Sequence, residues 1–250
     1  MSWSRRRKFV FGSIASLIII FVIIIPLFLY FYRAPSCFDG IKNGREEGVD
    51  CGGACTRLCQ NYFLPPQIIW SRVEYMSKGF YNVGTYIINP NRDGESRNIP
   101  YEVILYDNKG IQIQRYNGTF NLSPNRNTLV FDNAIETKER IPVRAVLEFK
   151  GIPTWTKSQD KLSFLKVIDK IYFDEEKSSS LVVKLQNSGA QTIPRFPLAV
   201  VLYDKDENAI GFSKTIVDPL KGGATYEAPF TWPFGRDQKT VSIEVLPVSE

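Results

Sequence analysis

A long apolar run near the N-terminus is the clearest hydrophobic pattern in this chain. From Phe9 to Tyr32 there are 24 consecutive residues without a charge. As an α-helix this run is about 36 Å long, enough to cross a hydrocarbon core of about 30 Å. Arg5 to Lys8 precede the run and only Arg33 follows it. The pattern predicts a transmembrane helix over 9–32, with a cytoplasmic basic tail over 1–8 and an exported remainder.

A cleaved signal peptide is the alternative interpretation of this run. Its apolar region has about 7 to 15 residues and leads to a cleavage site with small residues. Here the run is longer and ends in Leu29-Tyr30-Phe31-Tyr32, aromatic residues suited to a membrane interface. We therefore favour an uncleaved anchor that contacts the lipid bilayer through residues 9–32, with Pro26 interrupting its helix.

Beyond residue 66 the apolar positions follow a period of two. Leu181, Val183 and Leu185 alternate with their neighbours, and the same pattern occupies 241–245. Turn signals rich in Gly, Asn, Asp and Pro separate such segments: 91–94, 107–110, 123–125, 204–208 and 221–223. Short alternating segments between turns predict antiparallel strands with one buried face.

The β-region contains an internal repeat. The stretch 99–107 lies 97 residues before 196–204, with Pro, Val, Leu, Tyr and Asp shared in register. A period of this length indicates two tandem domains rather than a solenoid. About 90 residues per copy fits an immunoglobulin-like sandwich. The predicted fold is mainly β, with this division: a transmembrane helix, a disulfide-rich neck (33–63), a linker (64–66) and two tandem immunoglobulin-like antiparallel β-sandwiches (67–155 and 161–250).

All four cysteines lie in the predicted neck, at Cys37, Cys51, Cys55 and Cys59. An even number of clustered cysteines outside the membrane predicts two disulfides, which a segment with few apolar side chains needs for order. Three pairings are open. A four-thiolate metal site is the alternative, although the spacing lacks the usual C-x2-C knuckle.

Oxygen-bearing side chains separated by glycines lie between the first two cysteines. Asp39, Asn43, Glu46 and Asp50 are ligand types that calcium prefers, so a calcium site is a hypothesis for this segment and no other cofactor is expected. The alternative is a solvated acidic turn in which these side chains bond their own backbone.

The amino-acid composition excludes several kinds of catalytic and metal sites. The absence of histidine excludes Ser/His/Asp and Cys/His catalysis and His-ligated metal sites. Of 31 basic residues four precede residue 33, which leaves 27 against 26 acidic residues outside and no indication of nucleic-acid binding. Trp155, Trp232 and Phe234 lie beside prolines and are candidates for an exposed aromatic surface that binds a glycan or peptide.

Two motifs resemble known families. The string from Cys37 to Cys55 resembles a cysteine-rich motif of secreted bacterial and archaeal surface proteins. The segments 103–107 and 200–204 resemble the motif of FxLYD domains, small sandwiches of prokaryotic envelope proteins, with Val in place of the leading Phe. Both resemblances imply an extracytoplasmic location and neither implies a reaction.

Our functional hypothesis is a single-pass plasma-membrane protein, with its N-terminus in the cytoplasm, that acts as a binding, adhesion or scaffolding module in the envelope. Other envelope proteins or surface glycans are the expected partners, and no catalysis is expected. The alternatives are a carboxylate-based glycan-acting enzyme or accessory subunit, and a thiol redox or metal sensor at the membrane.

Overall fold

The computed structural model describes residues 3–32, 34–158, 160, 162–175, 178–233 and 239–248. The chain divides into two compact units, Met1–Cys55 and Thr56–Glu250. It is mainly β, with an N-terminal apolar helix, two disulfides and antiparallel sheets, so the predicted fold class is confirmed.

The apolar helix consists of α1 (Trp3–Ile19), a π-helical turn (Ile20–Ile24) and α2 (Ile25–Phe31). Its length and composition over Arg7–Phe31 suit a membrane span. The Ile25 N–H donates to Ile20 O, the five-residue spacing of a π-turn. Pro26 follows immediately and has no N–H to donate. It thus interrupts the regular α-helical bonding, as the sequence predicts.

The second unit is built from antiparallel strands joined by short turns. A single 3-10 turn precedes them at Gln60–Tyr62. The strands within the described residues are β1 (Gln67–Ser77), β2 (Phe80–Ile88), β3 (Gly94–Tyr106), β4 (Gln112–Leu122), β5 (Asn127–Glu136), β6 (Arg144–Phe149), β7 (Trp155–Lys157), β8 (Leu165–Glu175), β9 (Ser178–Asn187), β10 (Phe196–Tyr203), β11 (Ala209–Val217), β12 (Thr225–Trp232) and β13 (Ser242–Pro247).

These strands form four sheets, two in each copy of the repeat. The first copy has the sheets β4-β3-β6, with β7 paired to β3, and β1-β2-β5. The second has β11-β10-β13 and β12-β9-β8. One apolar cluster fills the space between the sheets of each copy, around Val103 and Val200 respectively. Each copy is therefore a sandwich with its own core.

Strand pairing confirms that the copies are duplicates. The valine of each repeated motif lies between equivalent neighbours: Val103 is opposite Tyr116 and Leu147, and Val200 is opposite Ser213 and Val245. The aspartate that ends each motif also has the same role. Asp107 accepts hydrogen bonds from the N–H groups of Lys109 and Ile111, and Asp204 accepts them from Asp206 and Asn208. These aspartates hold the turns after β3 and β10.

A third apolar cluster joins the two sandwiches. It packs the outer face of β1-β2-β5 against the outer face of β11-β10-β13. Strand β10 is consequently covered on both faces, which explains its nearly continuous apolar sequence. The buried members of this cluster are Tyr86, Leu129, Ala199, Val201, Ala209, Phe212 and Leu246.

The sandwiches pack through unlike faces. The first copy contributes β1-β2-β5, and the second contributes β11-β10-β13, the counterpart of the first copy's other sheet. The counterparts of Tyr86 and Leu129 are Lys184 and Glu227, an ion pair at 3.5 Å. The face thus carries apolar side chains in the copy where it is covered and charges in the copy where it is not.

The opposite end of the stack shows the same difference. Phe212 and Ala199 lie in the joining cluster, and the residues 97 positions earlier are Arg115 and Glu102. Arg115 and Glu102 form an ion pair at 3.3 Å, and Lys150 Nζ lies 2.7 Å from the second Glu102 oxygen. Both outer sheets of the stack therefore present charged pairs.

Residues 56–63 were predicted to belong to the neck, and the structure packs them on the first sandwich. The Leu58 N–H donates to Trp155 O, and the ring of Phe63 stacks on Trp155 with the centroids 5.2 Å apart. Leu64, predicted to begin a linker, exchanges two hydrogen bonds with the side chain of Asn91. The second compact unit accordingly begins at Thr56.

Candidate binding site

A groove of about 1020 Å³ lies where the two sandwiches meet. One wall comes from the first copy, with residues 72–76 of β1 and Asn82 of β2. The other comes from the second copy, with the beginnings of β9 and β11 and the end of β12. The described residues of this second wall are Ser178, Ser179, Ser180, Ala209, Ile210, Phe212, Ser213, Thr231, Trp232 and Pro233.

Hydrogen bonds between the copies hold the two walls in place. Glu244 of the second copy accepts from the hydroxyl of Tyr86 of the first copy at 2.7 Å, and from Tyr203 of its own copy at 2.8 Å. Arg72, which lies in the groove, donates from Nη1 to Ala209 O at 2.8 Å. Charge-assisted bonds of this kind are strong, so they stabilise the packing of the two walls against each other.

The groove combines hydroxyl groups with apolar surface. Six of its described lining residues carry a hydroxyl: Tyr75, Ser178, Ser179, Ser180, Ser213 and Thr231. The charged residues among them are Arg72 and Glu74, one of each sign. Tyr75 is 50% exposed, whereas Trp232 and Phe212 are buried beneath the groove. This lining can bind a polar, uncharged ligand and offers no paired carboxylates for acid–base catalysis within the described residues.

A second polar cluster lies inside the first sandwich. Asp132 accepts hydrogen bonds from Tyr101 at 2.7 Å and Tyr116 at 3.3 Å. Burial raises the pKa of the Asp132 carboxyl, while the two phenols and the charge of Lys214 oppose that rise. Lys214 Nζ donates to Phe131 O at 3.2 Å and so adds a further tie between the copies. We assign this cluster a structural role.

Because of the buried tyrosines in these clusters, we expect the protein to become less stable at alkaline pH. Burial, with the nearby carboxylates, raises the pKa of Tyr86, Tyr101, Tyr116 and Tyr203 above 10. Above pH 10 the unfolded chain therefore releases protons that the folded chain keeps. The free energy of unfolding should fall, by up to about 1.4 kcal/mol per pH unit for each phenol.

Thermal melts followed by circular dichroism between pH 9 and pH 11.5 test this expectation. The Tyr101→Phe variant should show a shallower decline of Tm with pH than the unaltered protein. Tyr62→Phe is the control, since Tyr62 is 71% exposed. A decline that is equally steep in all three proteins would contradict the assignment to the buried phenols.

The four predicted disulfide cysteines are all in disulfide linkage, so this prediction is confirmed. Cys37 is bonded to Cys55, and Cys51 and Cys59 are also disulfide-bonded. The oxidised state leaves no thiolates for the alternative four-cysteine metal site. Disulfides after an apolar helix are typical of a membrane anchor or signal sequence followed by an extracytoplasmic domain.

The predicted calcium ligands use their oxygens on backbone amides and on one another. Asp50 accepts from the N–H groups of Asp39 and Gly40, and Glu46 accepts from the N–H of Asn43. Asp39 accepts from Asn43 Nδ2 at 2.8 Å. This is the pattern of the self-bonded acidic turn. Calcium binding stays a prediction.

The predicted aromatic surface is wrong at two of its three residues. Trp155 is 2% exposed and packs in the first core, and Trp232 is 4% exposed and donates from Nε1 to Phe212 O. Neither ring can stack on a ligand in this conformation. Phe234 lies outside the described residues. The prolines next to these residues lie at strand ends, where Trp155 and Trp232 are buried in the cores of the two sandwiches.

Apart from Trp232, the described residues of the groove were not identified from the sequence. They come from β1, β2, β9, β11 and β12, segments separated by up to about 160 positions. The only available signal was the repeat itself, in which apolar residues such as Tyr86 and Leu129 correspond to Lys184 and Glu227. That difference identifies the face of each sandwich that packs against the other copy, and the groove lies where these two faces meet.

No protein-family model and no curated protein matches the chain. Among solved structures, a β-glucuronidase from glycoside hydrolase family 2 is similar over 83% of this chain and 26% of its own, with 11% identity and a TM-score of 0.26. A Bacteroides uniformis β-glucuronidase (14% identity, 64% of this chain, 22% of its own) has a TM-score of 0.22. A putative β-galactosidase from Bacteroides fragilis is 15% identical over 71% of this chain and 34% of its own, with a TM-score of 0.19. The chain thus spans about a third or less of these proteins, and such low TM-scores carry no argument about function.

Proposed function

We propose that the chain is a single-pass plasma-membrane protein whose sandwiches lie outside the cytoplasm and act as a binding, adhesion or scaffolding module. The observation that carries this proposal is the groove between the two copies. Its walls come from different sandwiches and are held together by Glu244 and Arg72. Preformed grooves between domains are common binding sites.

The proposed orientation rests on charge. Arg5 to Lys8 precede the apolar helix and only Arg33 follows it, a difference that favours a cytoplasmic N-terminus. The disulfides also fit an oxidising exterior. The resemblance of 103–107 and 200–204 to the FxLYD motif supports the same location, and we propose that both copies belong to that class of envelope domain.

Protease treatment of intact spheroplasts tests the orientation. With an epitope tag at each end of the chain, external protease should remove the C-terminal tag and spare the N-terminal one. The uncleaved anchor predicts that both tags are on one polypeptide before treatment. A protected C-terminal tag, or loss of the N-terminal tag on secretion, would contradict the proposed topology.

Photo-crosslinking in cells that express the protein tests the binding role. Thr231 and Thr225 both lie on the exposed side of β12, and only Thr231 lines the groove. Placing p-benzoylphenylalanine at 231 should give a light-dependent adduct, detected as a mass increase of the purified chain. The same residue at 225 should give none. Equal adducts at both positions, or none at either, would contradict a binding role for the groove.

A further inference from the structure

We infer that the ligand of this groove is a neutral oligosaccharide. The inference rests on the proposed function and specifies the class of ligand. It comes from three properties of the lining: its hydroxyl content, its balanced charge and its exposed apolar surface.

Hydroxyl groups dominate the polar part of the groove. Ser178, Ser180 and Thr231 lie close together at the beginning of β9 and the end of β12, where Ser180 is directly opposite Thr231. A hydroxyl both donates and accepts hydrogen bonds, as sugar hydroxyls also do. The Ser179 hydroxyl is buried and donates to Asp174, so it is not counted here. The hydroxyls of Ser178, Ser180 and Thr231 can bond a sugar hydroxyl in either sense, which suits a ligand that carries many such groups.

Planar polar groups on the opposite wall complement these hydroxyls. Arg72 presents a guanidinium with five N–H donors, and one of them donates to Ala209 O. Asn82 is also a lining residue and carries an amide. Groups of this shape can bond two neighbouring hydroxyls of one sugar ring at the same time.

The balance of charge favours a neutral ligand. Arg72 and Glu74 lie two positions apart on β1 and have opposite signs. An anionic ligand would meet the Glu74 carboxylate, and a cationic one would meet the Arg72 guanidinium. Neither sign of ligand gains a net electrostatic advantage within the described lining.

Apolar surface completes the site. Tyr75, which is half exposed, and Ile210, which is partly buried against the second core, also line the groove. Sugar rings have apolar C–H faces as well as hydroxyls, and tyrosine combines apolar contact with a polar tip. The volume of about 1020 Å³ accommodates several sugar units.

An extended peptide is the competing occupant. It would add to the free edge of one strand and bond mainly to the backbone. The described lining is instead shared among β1, β2, β9, β11 and β12, and β1 supplies only residues 72–76. The edge strands β1, β11 and β12 belong to three different sheets, and each contributes only a short part of the described lining, which favours side-chain recognition of a saccharide.

The test is calorimetric titration of the full chain in lipid nanodiscs, because detergents with sugar head groups would compete. The probes are maltohexaose, cellohexaose and the hexamer of N-acetylglucosamine. Tetragalacturonate serves as an anionic probe, and a capped neutral peptide of three Thr-Val-Ser repeats represents the competing occupant. At least one neutral sugar should bind with a Kd of about 1 mM or tighter.

Thr231→Arg should weaken that binding about tenfold or more, since it places a bulky cation among the hydroxyls. Thr225→Arg, on the same face of β12 and outside the groove, should change the Kd by less than about twofold. Ser178→Arg is a second groove variant in case Thr231→Arg does not fold, as judged by circular dichroism.

Four results would overturn the inference. The first is no heat from any neutral sugar at about 10 mM, and the second is equal binding by the groove and control variants. The third is tighter binding of tetragalacturonate than of every neutral sugar. Binding of the peptide alone, weakened by Thr231→Arg, would also overturn the saccharide while leaving the groove as a binding site, so the two proposals fail separately.

Discussion

Replacing Phe212 by alanine is expected to lower the free energy of unfolding by about 3–5 kcal/mol, which would be among the largest effects of a single substitution in this chain. Phe212 is 3% exposed and packs between the sandwiches. Its ring lies 6.1 Å from Trp70 and 5.9 Å from Phe131, centroid to centroid. Alanine would leave a cavity that the rigid sheets cannot fill.

Arg115→Ala is the matched control for this prediction. Arg115 occupies the position 97 residues earlier, on the face that carries charges, and its side chain is 50% exposed. Its loss leaves Glu102 paired with Lys150, so we expect a change below about 1 kcal/mol. Urea titrations followed by circular dichroism measure both variants. Equal losses would show that the covered and uncovered faces do not differ in energy.

The second large effect is expected from Gly84→Val. A Cβ atom at Gly84 would lie 2.9 Å from atoms of the Phe212 ring, closer than side chains tolerate. The position 98 residues later is Val182, so the strand itself accepts valine. The expected loss of about 1–3 kcal/mol therefore arises from overpacking between the sandwiches.

The double variant Gly84→Val with Phe212→Ala separates overpacking from other causes. Removing the Phe212 ring relieves the clash, so the combined loss should fall short of the sum of the single losses by about 1 kcal/mol or more. The same urea titrations give all three values. Additive losses would mean that Gly84 matters for its own strand rather than for the contact with Phe212.

The sequence predicted several features of the structure correctly. The uncharged run predicts the apolar helix, the clustered cysteines predict the two disulfides, and the 97-residue offset predicts the duplicated sheets. Each of these depends on residues that are neighbours in sequence or related by one fixed shift. The period of apolar residues and the spacing of cysteines, from which these features were predicted, can be recognised in the sequence itself.

Contacts between the copies could not be predicted in this way. A sheet with two apolar faces does not reveal which face covers its own core and which covers a neighbour. Glu244 meets Tyr86 across 158 positions, and Arg72 meets Ala209 across 137. The groove depends on these contacts between residues that are distant in sequence. The misassigned Trp155 and Trp232 show the related error of treating proline-flanked aromatics as surface residues when they close a core.

Packing through unlike faces gives the joint between the copies a direction. Contact between unlike faces is a head-to-tail operation, which does not close on itself and, if repeated, adds units without limit, as in helical filaments. The Glu102–Arg115 pair at one end and the Lys184–Glu227 pair at the other disfavour such addition, because an added copy would have to bury charges. They act as the capping repeats of linear arrays do. Adding a third copy on this pattern would require the apolar version of the face on the middle copy as well.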